Sequence, residues 1–406
     1  MTKAIEQYIQ SLPIYQQLYG ERINHFCLQS SFQYPVLEKK HLIQAYPKGW
    51  YTPAFLKAES ENQIVYFSTS GTTGEKIHVL GSNTFHYQEF YRMCYAFPQL
   101  RYPGGKRHAV LTTATCSALG CVNALESYSK RVQGPGKLSL NHLNNPYLWK
   151  KEDIERMRDE ILRFHPDYLL VDPIYLAVFV LLAKRYRLSL SFPSLKLVVY
   201  TFEYAPRACL DLIKCAFQLP IYSAYGMSET GIIYVQTPSG THRLIPNNVA
   251  VKFEPVDADK RLYELFVTAT NNALMPLIHY RTGDLVVVEA NSVNTLESHP
   301  NLVQIQAMAG RKNQCLLAKG RFVSVDELDS KLYALSSAIY VYRISQRLND
   351  IEIIYATTDE KPMEEAKIAS LKNTFEALFG LPALIQFARS ITPTPSGKFL
   401  LSRRQT

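Results

Sequence analysis

The sequence predicts an α/β fold with a large first domain, built on mixed and parallel β-sheets with helices, and a small α+β second domain. In the first three quarters of the chain, short β-rich runs alternate with helical patterns, as in a largely parallel sheet. After Arg311 the pattern changes to strand, strand, helix and strand, which is typical of a compact α+β module. The β-rich runs of the first part are 64–67, 109–113, 168–171 and 195–201.

The clearest helix of the first domain is predicted at residues 151–164. Four apolar residues recur there at spacings of three, four and one, which predicts that they share one side of the helix. A helix with one apolar side packs against a sheet, as an α/β fold requires. The four residues are Ile154, Met157, Ile161 and Leu162.

The second domain is predicted from its own run of elements. A helix at 364–378 is followed by Gly380, a residue type that favours the left-handed conformation at a helix end. Three β-rich runs surround this helix and predict a small sheet. The predicted strands are 338–345, 351–357 and 383–388.

The boundary between the domains is predicted at Gly310, which could serve as a hinge beside the charged Arg311. The large domain then comprises residues 1–309, and the small, mobile domain comprises residues 310–406. Because no long linker separates the two domains, we expect them to touch.

Composition narrows the class of protein. With 406 residues, of which 47% are hydrophobic, the chain can bury packed cores without disulfides or structural metals. Its seven cysteines are odd in number and scattered, as is typical of reduced thiols in a cytoplasmic protein. The first ten residues lack an apolar signal core, and no run reaches the roughly 18 apolar residues of a membrane-spanning helix. We therefore expect a cytoplasmic protein without a membrane partner.

The net charge of +9 favours partners that carry negative charge. Lysine and arginine are nevertheless spread along the chain, and no nucleic-acid-binding module can be recognised. We expect no nucleic acid partner. Anionic small molecules and an acidic protein partner fit the charge equally well, and so does a generic solvated basic surface.

A hydroxyl- and glycine-rich loop at 69–76 (TSGTTGEK) follows the first β-rich run. Glycines let backbone N–H groups approach a ligand closely and hydroxyls add donors, so the loop suits a polyphosphate. It is not a Walker A loop, because only two residues separate Gly71 from Gly74 and a strand-like run follows. Taken alone, the loop could also be a hairpin turn with serine and threonine caps.

Four further segments stand out after this loop. They are 222–230 (YSAYGMSET), 279–285 (HYRTGDL), 310–313 (GRKN) and 395–398 (PSGK). In this order, and together with the loop, they resemble the core motifs of the adenylate-forming superfamily, which includes acyl-CoA synthetases, peptide-synthetase adenylation domains and luciferases. The chain length and the stretches 34–47, 165–176 and 263–285 resemble its phenylacetate–CoA ligase-like branch.

The resemblance implies an ATP site in the large domain. Tyr225 would stack on adenine, Gly226 would leave room for the nucleotide, and Asp284, in a turn, would accept from both ribose hydroxyls. Glu229 would act in catalysis by holding the Mg²⁺ that bridges the phosphates. The implied ATP-binding residues are Ser70, Gly71, Thr72, Thr73, Gly74, Lys76, Glu203, Tyr225, Gly226, Met227, Ser228, Asp284 and Arg311.

The resemblance also implies that the small domain carries the second catalytic residue, Lys398, in a Pro-Ser-Gly turn. Its charge would stabilise the attack of a carboxylate on the α-phosphate. Asn313 would lie at the hinge, and the Gly320 loop would reach the site in a later thioester step. The chain departs from the usual motifs at Glu75, where a lysine is common, and at Phe202, where a small residue is usual.

The implied reaction is the activation of a carboxylic acid by ATP and Mg²⁺ to an acyl-AMP, with release of pyrophosphate. The acyl group would then pass to a thiol, that of coenzyme A or the phosphopantetheine of an acidic carrier protein. An aromatic or compact apolar acid is expected. Because of the departures in the motifs, a degenerate nucleotide-binding protein without catalysis stays an alternative.

Overall fold

A computed structural model of the chain describes residues 2–68, 76–82, 107–113, 126–134, 136–140, 143–245 and 249–405, and single positions or short pieces between 85 and 100. The described helices are α1 (Thr2–Ser11), α2 (Pro13–Tyr19), α3 (Lys39–Ala45), α4 (Pro53–Ser60), α5 (Tyr128–Arg131), α6 (Lys151–Phe164), α7 (Pro173–Arg185), α8 (Arg207–Phe217), α9 (Val325–Leu335) and α10 (Glu365–Phe379).

The described strands belong to one large sheet and three small ones. They are β1 (Ile64–Ser68), β2 (His78–Ser82), β3 (His108–Leu111), β4 (Val132–Gln133), β5 (Lys137–Ser139), β6 (Tyr168–Val171), β7 (Leu197–Tyr200), β8 (Ile221–Met227), β9 (Gly231–Gln236), β10 (His242–Leu244), β11 (Val249–Asp257), β12 (Leu262–Ala269), β13 (Leu277–Val288), β14 (Ile305–Arg311), β15 (Leu316–Ala318), β16 (Arg321–Val323), β17 (Ile339–Gln346), β18 (Ile351–Thr357), β19 (Ala383–Phe387) and β20 (Ser402–Arg404).

The large sheet has the strand order β11-β12-β13-β14-β10-β9-β8-β7-β6-β3-β5-β4 over the described residues. Strands β5, β3, β6, β7 and β8 run parallel to one another. Strand β9 is antiparallel to β8, and the pairs from β9 to β11 are antiparallel as well. Strand β8 therefore joins a parallel half to an antiparallel half, which confirms the predicted α/β fold with mixed sheets. The expectation of a largely parallel sheet holds only from β5 to β8, because the other described neighbours of this sheet pair antiparallel.

Helix α6 has the bounds that the sequence predicts. Ile154, Met157 and Ile161 are buried, as their spacing predicts. Leu162 is 39% exposed, so the prediction that it shares the apolar side is wrong. It follows Ile161 by one residue, a rotation of about 100° around the helix, and this carries it away from the packed side.

Helix α7 follows β6 and is buried along most of its length. Asp172 caps its start, because one carboxylate oxygen accepts hydrogen bonds from the backbone N–H groups of Ile174 (3.0 Å) and Tyr175 (3.3 Å). Pro173 occupies the first helical position, where its missing N–H costs nothing. These contacts fix the first turn of α7 next to the edge of the sheet where parallel strands end.

The C-terminal part contains the predicted α+β elements. Its four-stranded sheet has the order β19-β18-β17-β20, and β15 and β16 form a separate hairpin. Strand β18 has the predicted bounds, and α10 ends at Gly380, whose φ of +68° is left-handed. The predicted small α+β unit is therefore confirmed as a fold, while its division from the rest at residue 310 and its mobility stay predictions.

Gly310 does not lie in a loop. Strand β14 runs through it to Arg311, and Gly310 pairs with Leu285 of β13. A Cβ at Gly310 would lie 2.7 Å from Cγ2 of Val325, so the glycine allows close packing of α9 on the sheet. The first residues outside the sheet form a short 3-10 turn, Lys312–Gln314. The location of the hinge, at Gly310 or at Asn313 in this turn, stays a prediction.

The C-terminal part packs on the helices of the large sheet. One apolar cluster continues from α6, α7 and α8 into α9, β17 and β18. Arg207, the first residue of α8, donates hydrogen bonds to Asp329 (2.7 Å) and Asp326 (2.8 Å) of α9. Tyr204 donates to Asp326 at 3.0 Å. Apolar and ionic contacts together hold the C-terminal part against the large sheet in this arrangement.

No described helix combines the length and apolar character needed to cross a membrane.

Candidate active site

A cavity of about 510 Å³ lies where the ends of β7 and β8 meet β13, β14 and the segment that precedes β20. These segments are far apart in the sequence and meet only in the fold. The residues that were predicted for the site and line the cavity are Glu203, Tyr225, Gly226, Met227, Ser228, Glu229, Asp284, Arg311 and Lys398.

Three predicted residues do not line the cavity. Lys76 is exposed before β2, and Asn313 is exposed in the 3-10 turn after β14. Gly320 lies in the two-residue turn between β15 and β16, where an added Cβ would meet nothing within 4 Å. The remaining predicted residues, Ser70, Gly71, Thr72, Thr73 and Gly74, lie outside the described residues.

Glu229 lies in the turn between β8 and β9 and is 6% exposed. Tyr280 donates a hydrogen bond to its Oε1 atom at 3.4 Å, and burial raises the pKa of the carboxyl group. A buried carboxylate is stabilised by an adjacent cation, so Glu229 fits a Mg²⁺ ion. Among the described residues no group of three acidic, histidine or cysteine side chains could hold a metal ion.

Tyr225, Asp284 and Arg311 form one polar group in the cavity wall. The Tyr225 hydroxyl donates to Oδ2 of Asp284 at 2.8 Å, and Nε of Arg311 lies 3.4 Å from Oδ1. The Asp284 carboxylate raises the pKa of the Arg311 guanidinium. Both carboxylate oxygens thus have a partner that sets their direction, which leaves their remaining lone pairs for a ligand.

Asp284 lies in a strand and not in the predicted turn. Strand β13 continues from Leu277 to Val288, but its register against β12 shifts between Arg281 and Leu285. Gly283, at a φ of +75°, bends the backbone in this bulge. A bulge redirects side chains as a turn does, and it brings the Asp284 carboxylate to the cavity.

The structure gives a steric reason why position 226 is a glycine. A Cβ at this position would lie 2.3 Å from the carbonyl oxygen of Gly231 and 2.8 Å from Cα of Ile232. The glycine is therefore required by the close approach of strand β9. Gly226 also lines the cavity, and its role in leaving room for the nucleotide stays a prediction.

Phe202 and Glu203 follow β7. Phe202 has a φ of +76°, a left-handed conformation that costs a residue with a side chain about 1–2 kcal/mol. Of the small residues, only glycine would avoid that strain. Oε2 of Glu203 accepts a hydrogen bond from the backbone N–H of Phe399 at 2.9 Å, while Oε1 is buried without a described partner.

Lys398 lines the cavity together with Asp172 and Glu203, and its charge acts on both carboxyl groups. Burial raises the pKa of Asp172 to about 7, and the Lys398 ammonium counteracts this rise. Burial and the Asp172 carboxylate raise the pKa of Glu203 well above its usual range. The lysine charge therefore opposes the rise in pKa that burial causes at two acidic groups.

Sequence reasoning missed Lys39 and Asp172, which also line the cavity. Lys39 begins α3, and a β-bridge between Leu37 and Tyr280 holds that segment beside the Glu229 site. No local pattern around Lys39 indicates this contact, because the bridge joins residues that are distant in the sequence. The position of Asp172 is indicated by the sequence, because this residue precedes Pro173 at the start of a helix that follows a buried strand.

No model of a known protein family matches the chain. Protein CapK of Staphylococcus aureus is 25% identical over 193 residues, which are 46% of this chain and 42% of CapK. The match thus spans less than half the length of that curated relative.

Solved structures of acid–CoA ligases are similar over most of the chain. The 2-hydroxyisobutyryl-CoA ligase in its postadenylation state with 2-HIB-AMP has a TM-score of 0.68 at 15% identity, over 97% of this chain and 87% of the ligase. The same ligase in its thioesterification state, with 2-HIB-AMP and CoA, has a TM-score of 0.56 at 14% identity, over 100% of this chain and 90% of the ligase.

Two further ligases share the fold at lower coverage of their own length. Anthranilate CoA ligase AuaEII, in complex with anthranoyl-AMP, has a TM-score of 0.58 at 15% identity, over 83% of this chain and 66% of that ligase. O-succinylbenzoate coenzyme A synthetase MenE of Bacillus subtilis, in complex with ATP and magnesium, has a TM-score of 0.52 at 16% identity, over 83% of this chain and 68% of MenE. The chain has the fold of adenylate-forming enzymes, as its motifs predict.

Proposed function

We propose that this chain, whose fold is that of the adenylate-forming enzymes, uses ATP to convert a carboxylic acid to an acyl-AMP and passes the acyl group to a thiol. The observation that carries the proposal is the convergence of Glu229, Asp284 and Lys398 on one cavity, although they belong to three separate sequence motifs. Adenylation requires a carboxylate that binds a metal ion, a carboxylate that binds the ribose, and a lysine beside the reacting atoms.

In the first step, Tyr225 and Asp284 hold the nucleoside. The Tyr225 ring offers its face to adenine, and the Asp284 carboxylate accepts hydrogen bonds from ribose hydroxyls. Arg311, beside Asp284, contacts the ribose or the α-phosphate. A Mg²⁺ ion bound to Glu229 would neutralise phosphate oxygens. Loop 70–74, with its hydroxyls and glycines, is proposed to hold the β- and γ-phosphates.

The lysines supply the positive charge that the reacting phosphates need. Lys398 is proposed to stabilise the carboxylate and α-phosphate during attack, a kind of contribution worth roughly a hundred- to a thousand-fold in rate. A second cavity lysine, Lys39, lies near the Glu229 side and suits the distal phosphates.

In the second step, a thiol attacks the carbonyl carbon of the acyl-AMP, the carbon–oxygen bond to phosphate breaks, and AMP leaves. Coenzyme A is the favoured acceptor, and a carrier-protein phosphopantetheine is the alternative. We propose that the C-terminal part turns about Lys312–Gln314 near Asn313, which withdraws Lys398 and brings the Gly320 turn to the cavity. The 2-hydroxyisobutyryl-CoA ligase, which has the same fold, has structures in a postadenylation and a thioesterification state, and this supports the proposed division.

The acid is proposed to be aromatic or compact and apolar. Tyr200, Ala224 and Ile232 line the cavity and give part of its wall an apolar and aromatic character. Such a wall favours a small apolar group attached to the carboxylate.

Pyrophosphate release tests the function. The full chain is incubated with ATP, Mg²⁺ and a panel of aryl, short-chain and amino acids, with hydroxylamine to trap acyl-AMP and parallel reactions that contain coenzyme A. Release with one class of acid identifies the substrate class, and faster turnover with coenzyme A identifies the acceptor. ATP binding without release across the whole panel contradicts the proposal and favours the degenerate nucleotide-binding protein.

A further inference from the structure

The turn that carries Lys398 is closed by its own hydrogen bonds. The N–H of Gly397 donates to the carbonyl of Thr394 at 2.8 Å, and the N–H of Thr394 donates to the carbonyl of Lys398 at 2.8 Å. The Thr394 hydroxyl also accepts from the N–H of Lys398 at 3.2 Å. Residues 394–398 therefore form a compact unit, and whatever holds this unit also sets the position of the lysine.

Three side chains of the large sheet region hold that unit by three consecutive carbonyl groups. Asn144 donates to the carbonyl of Pro395 at 3.1 Å, and the Thr113 hydroxyl donates to that of Ser396 at 2.8 Å. The Tyr175 hydroxyl donates to the carbonyl of Gly397 at 2.9 Å. We call Thr113, Asn144 and Tyr175 the lysine cradle.

The members of the lysine cradle also contact one another. The Tyr175 hydroxyl lies 2.6 Å from the carbonyl oxygen of Asn144, and the Thr113 hydroxyl lies 2.9 Å from Oδ1 of Asn144. Each hydroxyl has one proton and two acceptors within reach, so the protons can be shared between the cradle and the turn. Such a connected network orients its members better than isolated hydrogen bonds do.

Gly397 brings the backbone into direct contact with the cradle. A Cβ on Gly397 would lie 2.2 Å from the Thr113 hydroxyl oxygen and 2.7 Å from that of Tyr175. Any side chain at this position would therefore lift the turn off the cradle. On the other side of the lysine, Phe399 is 6% exposed and its ring meets the Tyr175 ring edge-on, at 6.1 Å between centroids.

We propose that Tyr175, Thr113 and Asn144 are positioning residues, which hold the 394–398 turn so that Lys398 points into the cavity. The effect of the cradle on catalysis rests on the proposed function. Whether the cradle holds the turn does not depend on that function and can be measured separately. The cradle acts in adenylation alone, since the turn must leave the large sheet region before Lys398 can withdraw.

The main test is Tyr175→Phe, which keeps the ring and removes the hydroxyl. We expect the rate of pyrophosphate release to fall about threefold to tenfold, as the loss of one buried hydrogen bond predicts, with an unchanged KM for ATP. Thioester formation from synthetic acyl-adenylate and coenzyme A should keep its rate. Trypsin should cut after Lys398 faster than in the wild type, a measure of turn release that needs no activity.

Two comparisons separate positioning from folding. Thr113→Val should repeat both effects and Thr113→Ser should restore the wild-type values, because serine keeps the donor. Tyr147→Phe is the matched control, since the Tyr147 hydroxyl bonds that of Tyr340 at 3.0 Å and its ring meets Phe399, but it donates to no carbonyl of the turn. It should leave the trypsin rate and the adenylation rate unchanged.

The proposal is overturned if Tyr175→Phe and Thr113→Val leave the trypsin rate at the wild-type value, or if they slow both half-reactions equally. If the wild type releases no pyrophosphate with any acid, the proposed function fails, and the trypsin comparison still decides whether the cradle holds the turn. If Tyr175→Phe does not fold, the serine and valine variants of Thr113 give the same decision.

Discussion

The Tyr225 hydroxyl donates a hydrogen bond of 2.8 Å to Oδ2 of Asp284, across 59 residues of sequence. We expect Tyr225→Phe to weaken ATP binding about twofold to tenfold, because the carboxylate loses the donor that orients it. Tyr225→Leu should weaken binding further, because it also removes the aromatic face. Isothermal titration with ATP measures both. Equal affinities for the two variants would argue against stacking, and wild-type affinity in Tyr225→Phe would argue against orientation.

Lys398→Ala should abolish pyrophosphate release, with a loss of at least about a hundredfold, because charge develops on the α-phosphate next to the lysine. Thioester formation from synthetic acyl-adenylate should continue near the wild-type rate. Lys367→Ala, an exposed lysine on α10, is the control for a mere loss of charge. An equal loss in both half-reactions would contradict this division of labour.

Gly226→Ala should destabilise the protein by about 1–3 kcal/mol or more, because the new Cβ would lie 2.3 Å from a backbone oxygen that cannot rotate away. Gly81→Ala is the comparison, since its Cβ would lie 3.0 Å from the ring of Phe67, a side chain that can shift. Urea unfolding without ligand measures both. Equal losses of unfolding free energy would show that strand contact is not the reason for the glycine.

The left-handed conformation of Phe202 predicts an unusual order of stability for its alanine and glycine variants. Both Phe202→Ala and Phe202→Gly remove the ring, but only glycine also removes the strain of the φ of +76°. We expect the glycine variant to be more stable than the alanine variant by about 1 kcal/mol, the reverse of the usual order. Chemical denaturation of the two variants measures this difference in unfolding free energy. A more stable alanine variant would mean that the backbone relaxes out of the left-handed conformation.

Asp172 predicts a pH dependence of stability. Burial raises the pKa of its carboxyl group from 3.8 to about 7, so the folded protein binds a proton more tightly than the unfolded chain does. The contribution of Asp172 to the stability of the folded protein therefore becomes less favourable as the pH rises from about 4 to about 7. The difference in unfolding free energy between Asp172→Asn and the wild type should grow over that range. A difference that does not change with pH would contradict the assignment.

Local patterns in the sequence predicted several of the helices and strands. The apolar spacing of α6, the glycine after α10 and the bounds of β6 and β18 all depend on neighbours within a few residues, and the structure agrees with them. The error at Leu162 arose because adjacent residues in a helix point in different directions, which a count of apolar residues ignores. The five motifs likewise predicted the adenylate-forming fold.

Contacts between distant segments decided the rest of the site. The close approach of strand β9 requires a glycine at position 226, and a bulge in β13 brings Asp284 to the cavity. The segment that carries Lys39 is held there by a β-bridge to β13. The lysine cradle joins a strand end, a loop and a helix to a turn more than 200 residues away, as in the Tyr175–Gly397 hydrogen bond. The sequence by itself determined which residue types and local elements exist, because these follow from short-range sterics and hydrophobic spacing. Only the tertiary structure decided which groups meet, because burial and hydrogen bonding act between residues that the chain order does not bring together.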